Sequence, residues 1–192
     1  MVIRFTNPCI LGVFALGFIA LTESGNLYAI VLYESALLVF FVVLPLVYVY
    51  LRTSGFKNGE RLISDPTLFL RQHPKDILVL GMGCGLPCLV VLVFLHAPAI
   101  LIATLSALMM CSFIVAIINL FDRVSYHLAA LTVIVIAAVT VWGEGLLALL
   151  AVIPLVGWAK YHTGQHSIVQ MIVATAISTV ATIIIFYLFK LL

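Results

Sequence analysis

Long apolar runs separated by short polar segments set the pattern of this chain. Apolar stretches cover residues 27–51, 77–95, 98–120 and 168–191, with a further run at 2–21 and two shorter ones at 128–142 and 146–158. A helix rises about 1.5 Å per residue, so about twenty apolar residues match a hydrocarbon core of ~30 Å. The strict alternation of an outer-membrane strand is absent, and helices are the other way to satisfy a backbone in lipid. The pattern therefore predicts an all-α fold, a polytopic transmembrane helical bundle forming a single domain over residues 1–192. It has six or seven spans, depending on whether 2–21, weakened by Asn7 and Pro8, crosses in full as a retained first span.

The interruptions define the connections. Glu23-Ser-Gly-Asn26 and His96-Ala-Pro98 read as tight turns, and Gly143-Glu-Gly145 joins two short spans in a tilted or partly sunken hairpin. Residues 52–76 hold five of the nine Lys and Arg residues, and Gly55, Gly59 and Pro66 argue against one continuous helix there, so this is an extramembrane loop. Gly81 and Gly85, four apart, with Pro87 a turn later, suit close helix packing and a kink. An even number of crossings separates the polar segments 52–76, 121–127 and 159–167. All three are thus expected on one membrane face, opposite the connections at Glu23, His96 and Glu144.

Composition sharpens this picture. The chain is 65% hydrophobic and 8% charged, with a mean hydropathy of +1.32. Its net charge of +2 and scattered basic residues speak against nucleic acid as a partner. Cys9, Cys84, Cys88 and Cys111 all lie in apolar runs, which points to buried small side chains and not to a disulfide framework or a metal knuckle. Glu34, inside the run 27–51, is expected to be packed, protonated or near an interface, because a bare carboxylate at the bilayer centre costs a few kcal/mol.

Polar residues are scarce enough for their positions to matter. Arg71, Arg123 and Lys160 come from the three segments assigned to one face, and together suit a phosphate or diphosphate. Segments 121–127 and 159–167 each run into the start of a helix, where free N–H groups and the helix dipole also favour an anion. His127 and His166 stand at those two starts and suit a division into nucleophile and general acid, which requires no metal and no cofactor. Taken singly, each of these residues reads equally well as an interfacial side chain reaching for water and headgroups.

The spacing Lys160-x5-His166-Ser167-x2-Gln170, with Gly164 two before the histidine, resembles the third signature of the type 2 phosphatidic acid phosphatase superfamily. Asn119-Leu-Phe-Asp-Arg-Val-Ser125-Tyr-His127 resembles the second, and Ile63-Ser-Asp65-Pro-Thr-Leu-Phe-Leu-Arg71-Gln-His-Pro74 resembles a divergent first. The resemblance covers about residues 40–175. It implies metal-independent hydrolysis of a lipid phosphate monoester or diphosphate through a phosphohistidine intermediate, on a phosphatidate-like, phosphatidylglycerophosphate-like or polyprenyl diphosphate substrate. His166 would be the nucleophile and His127 the acid. Lys160, Arg123, Arg71 and Ser125 would hold the phosphoryl oxygens, Gln170 would orient the nucleophilic ring, and Asp65 would support a cation or cap a loop.

The chain also departs from the family pattern. Pro66 and His73 stand where that pattern has cations, Tyr126 replaces a glycine, and Lys160 replaces an arginine, giving up bidentate phosphate geometry. His162 is a rival nucleophile, but only His166 has a cation six before it and an amide four after it. The other reading is a catalytically silent membrane protein that binds lipid headgroups, or a small transporter of the same fold. Apart from the proposed site, Arg4, Arg52, Lys57, Arg61 and Lys75 fall on the site face and Lys190 on the other. The positive-inside rule therefore expects a cell-membrane protein with its site in the cytoplasm.

Overall fold

The computed structural model describes residues 8–54, 79–122, 124–164 and 166–192. Among them every regular element is helical. Four helices are long and apolar enough to cross a membrane, Leu27–Leu51, Ala99–Ile118, Gly145–His162 and Ile168–Leu188. Gly12–Glu23, Gly81–Phe94 and Tyr126–Trp142 are apolar but shorter, and lie where the remaining spans are expected. Over the described residues the protein is thus an all-helical membrane bundle with four helices of spanning length, where six or seven crossings are expected.

In chain order, α1 is Pro8–Glu23, α2 is Leu27–Leu38 and α3 is Leu44–Ser54. After the undescribed stretch come α4, Leu86–Phe94, α5, Ala99–Ile118, and α6, Tyr126–Trp142. Two helices complete the chain, α7, Val152–His162, and α8, Ile168–Leu188. The bundle is organised around α5, which packs most extensively on α8 and α6 while those two pack on each other. Small residues make that closeness possible. Ala103, Ala107, Cys111 and Val115 recur every four residues along one buried stripe of α5, facing a core that includes Ala174 of α8 and Ala129, Val133 and Ala137 of α6. Cys111 Sγ lies 3.0 Å from Ser178 Oγ, a buried polar contact between α5 and α8. The Ser178 hydroxyl also reaches the Ala174 carbonyl at 2.7 Å.

Among the described residues of the N-terminal half, two π-helical turns interrupt the helices, Val39–Val43 between α2 and α3 and Gly81–Gly85 before α4. Each ends two residues before a proline, Pro45 and Pro87. A proline inside a helix has no N–H to donate, and its ring collides with the carbonyl four residues back. A turn widened by one residue just ahead of it relieves that collision without ending the helix. The sequence anticipates a kink near Pro87, but the widened turn falls ahead of it, and Pro45 has the same effect. The two π turns also touch each other. Of the two glycines, Gly85 is the packing one, because a Cβ there would come within 2.9 Å of Met109 Cε, whereas Gly81 faces open space.

The helical segment after Gly143 runs further than the short span 146–158 that the sequence suggests. It opens with a 3₁₀ helix, Glu144–Ala151, before α7. A 3₁₀ helix rises about 2.0 Å per residue, so Gly145–His162 reaches about 30 Å, a full hydrocarbon thickness. Glu34 packs as expected for a structural role, its carboxyl lying over Gly17 of α1 where any Cβ would strike it.

Candidate functional site

Two polar loops meet at the end of the bundle where α5 finishes and α8 begins. The first, 119–125, is clamped by the Asn119 side chain. The Asn119 amide oxygen accepts from the Val124 N–H at 2.6 Å, and its nitrogen donates to the Val124 carbonyl at 3.2 Å. This clamp pins the loop at both edges and leaves Asp122 exposed at its crest. Ser125 then caps α6, its oxygen accepting from the Leu128 N–H at 3.4 Å, and His127 falls in the first turn, half-buried.

The second loop reverses the chain between α7 and α8. Its Thr163 hydroxyl lies 3.1 Å from both the Ala159 and Lys160 carbonyls at the end of α7. Gly164 follows with φ of 66°, the left-handed conformation that ends helices and that a side chain makes costly. That requirement accounts for a glycine two residues before His166. Ser167 and Gln170 form a capping box at the start of α8. The Ser167 oxygen accepts from the Gln170 N–H at 3.2 Å, and the Gln170 amide oxygen accepts from the Ser167 N–H at 3.0 Å.

A hydrogen bond joins the loops. Gln170 Nε2 donates to Asp122 Oδ1 at 2.9 Å, across 48 positions of sequence. The segments that carry His127 and His166 are therefore neighbours, as expected if they share one face. The N–H groups of Tyr126 in α6, and of Ile168 and Val169 in α8, belong to first turns, where a helix offers no carbonyl partner. Such groups, with the positive ends of two helix dipoles, can meet an anion.

The expected site residues distribute as follows. Lys160 lies in the last turn of α7, half-buried, one loop away from His166. His166 is half-buried with Nδ1 shielded from solvent. Its rival His162 is exposed on α7, its ring edge-on to Trp158 at a centroid distance of 5.3 Å. Ser125 is only 1% exposed, and its observed bond is the cap of α6. Gln170, expected to orient the His166 ring, has its amide on Ser167 and Asp122. Arg71, Asp65 and Arg123 lie outside the described residues.

Sequence reasoning assigns no task to Asn119 or Asp122. An asparagine just after a helix, where its amide can bond the turning backbone, was a readable signal for the first. The second depends on a partner 48 residues away. Among the described residues, no group of three or more His, Cys, Asp or Glu side chains is placed to hold a metal ion. Compared with protein-family models, with curated proteins and with solved structures, the chain matches none of them.

Proposed function

We propose that the protein is an integral-membrane lipid phosphatase that uses His166 as nucleophile and His127 as general acid. The observation that supports this most is the Gln170 to Asp122 hydrogen bond, because it sets the loop of one histidine against the loop of the other. Phosphate binding falls to Lys160, to first-turn N–H groups of α6 and α8, and to Arg123 and Arg71 from the sequence. The substrate is a phosphate monoester or diphosphate on a lipid tail, of the phosphatidate, phosphatidylglycerophosphate or polyprenyl class. A tail already in the bilayer explains why the site sits at the end of a lipid-embedded bundle.

In this reading His166 Nε2 attacks phosphorus, since Nδ1 is the buried nitrogen. The P–O bond to the lipid breaks as the P–N bond forms, and His127 gives its proton to the departing oxygen. Water then attacks the phosphohistidine, its proton passing to His127 as phosphate leaves. Both histidines end as they began. The excess of Lys and Arg on the site face favours a cytoplasmic orientation.

A second reading, a silent headgroup-binding protein or small transporter, draws support from Pro66 and His73, which offer no fixed cation where the first signature needs them. Phosphate release in detergent without divalent metal separates the two. The lipid-phosphatase reading expects release from at least one of phosphatidate, phosphatidylglycerophosphate and a prenyl diphosphate. It expects loss of about 10³-fold or more in His166→Ala, as when other hydrolases lose their nucleophile. His127→Ala should lose about 10²–10⁴-fold and His162→Ala little. No release from any of the three lipids favours the silent reading, and equal activity in wild type and His166→Ala removes His166 as nucleophile.

A further inference from the structure

We infer that Asp122 is a positioning residue, which acts through Gln170 to hold the peptide carrying His166 against the loop that leads to His127. The catalytic part of this inference rests on the lipid-phosphatase reading, whereas the strut itself does not.

The bonds run in one direction. The Ser167 N–H donates to Gln170 Oε1, and Gln170 Nε2 donates to Asp122 Oδ1. Ser167 N belongs to the peptide bond that begins at the His166 carbonyl, so a restraint on it acts one bond from the His166 backbone. At the other end, Asp122 sits in a loop whose shape is held by the Asn119 bonds to Val124. Val124 precedes the Ser125 cap, and His127 follows two residues later. Two polar bonds and one amide therefore connect the backbones of the two histidine segments. The bonds also polarise one another, since an amide that accepts at its oxygen donates more strongly at its nitrogen.

The arrangement explains why residue 170 is an amide. A capping box accepts Glu or Gln equally at its third helical position, because only a side-chain oxygen is needed. Asp122 adds a second demand, a donor on the other side of the same group, and Gln meets both while Glu meets one. A rotated amide would set its NH₂ against the Ser167 N–H and its oxygen against the carboxylate, so the orientation is determined by its partners.

Reversing the polarity tests the strut. Gln170→Glu keeps the capping oxygen but places carboxylate against carboxylate. Asp122→Asn keeps an acceptor for Gln170 and serves as the single-variant reference for the double one. The double variant Asp122→Asn/Gln170→Glu restores both bonds, with the amide introduced at position 122 as donor. The expected result is a fall in kcat of about 10- to 100-fold in Gln170→Glu, with KM little changed and most of the loss recovered in the double variant. Full activity in Gln170→Glu, a loss confined to KM, or a double variant no better than Gln170→Glu would overturn the positioning role. Unfolding midpoints of the same four proteins in detergent require no substrate. A drop in Gln170→Glu that the double variant repairs supports the strut, and its absence overturns it. If wild type releases no phosphate from any of the three lipids, the positioning claim falls with the lipid-phosphatase reading and the midpoints alone judge the strut.

Discussion

The two ends of α5 solve the same problem with different means. Its 20 residues separate them by about 30 Å. At the start of α5, the His96–Pro98 turn is made by backbone geometry, with His96 at φ 54°, and Gly143 at the neighbouring end of α6 has φ 76°. Phe18 and Trp142 meet there with centroids 5.0 Å apart, and the Tyr33 hydroxyl lies 3.3 Å from both the Leu95 and His96 carbonyls. At the far end, Asn119, Asp122, Ser125, Thr163, Ser167 and Gln170 do this work with side-chain bonds. One end is closed mostly by packing and backbone, with the Tyr33 hydroxyl and the Asn26 cap of α2 added, the other by side-chain bonds in the loops that lead to two histidines. The side chains at the far end satisfy backbone groups that helix ends and turns leave open, and the lipid-phosphatase reading places its two histidines beside them.

The comparison breaks most clearly at its histidines. His166→Ala should abolish phosphate release, by about 10³-fold or more, whereas His96→Asn should leave it unchanged. Asparagine tolerates the left-handed backbone of residue 96, so the control carries little strain. Similar losses in both variants would mean that the ends are not functionally distinct.

Loop shape should give the next largest effect. Asn119→Ala deletes two bonds to Val124 and leaves a half-buried backbone pair unsatisfied, at about 1–3 kcal/mol. Because the same loop carries Asp122 and leads to His127, activity should fall with stability. Asn119→Asp keeps the acceptor for the Val124 N–H and should lose less. A comparable stability loss at the opposite end, without loss of turnover, comes from Gly17→Val, whose added methyls meet the Glu34 carboxyl, at about 1–3 kcal/mol. Unfolding midpoints in detergent beside kcat for both variants check the pairing. Equal kcat in Asn119→Ala and Gly17→Val would detach the loop from the chemistry.

How far the sequence disclosed this contrast depends on the range of each interaction. Apolar runs and turn residues are local, so the run expected at 27–51 is found as a helix from Leu27, and breaks stand at Ser24–Asn26 and near His96. The π turns were less legible, since a proline announces a disturbance but not that the helix absorbs it one turn earlier by widening. The 3₁₀ start at Glu144 has no local signal in an apolar Leu- and Ala-rich stretch. At the site, the helix starts beside His127 and His166 were readable, whereas the cap made by Ser125, expected to hold phosphate, and the pairing of Gln170 with Asp122 were not. That pairing joins positions 48 apart, and only the packing of α5 on α8 brings them together.

The smallest effect belongs to Tyr33, and it tests whether the ends are independent. Its hydroxyl reaches two carbonyls at 3.3 Å, a long and shared bond at the edge of the membrane-embedded region. Hydrogen bonds between membrane helices average about 0.6 kcal/mol, and a bond of this length belongs at or below that value. Tyr33→Phe keeps the ring, which is 5% exposed, and so removes the hydroxyl without opening a cavity. The expected outcome is a slightly lower unfolding midpoint with unchanged kcat and KM for whichever lipid phosphate serves as substrate. Because Tyr33 ties α2 to the turn that starts α5, a tenfold change in kcat would mean that α5 transmits the state of its packed end to the polar one. The histidine loops would then answer to the whole helix, and not only to the Asp122 strut.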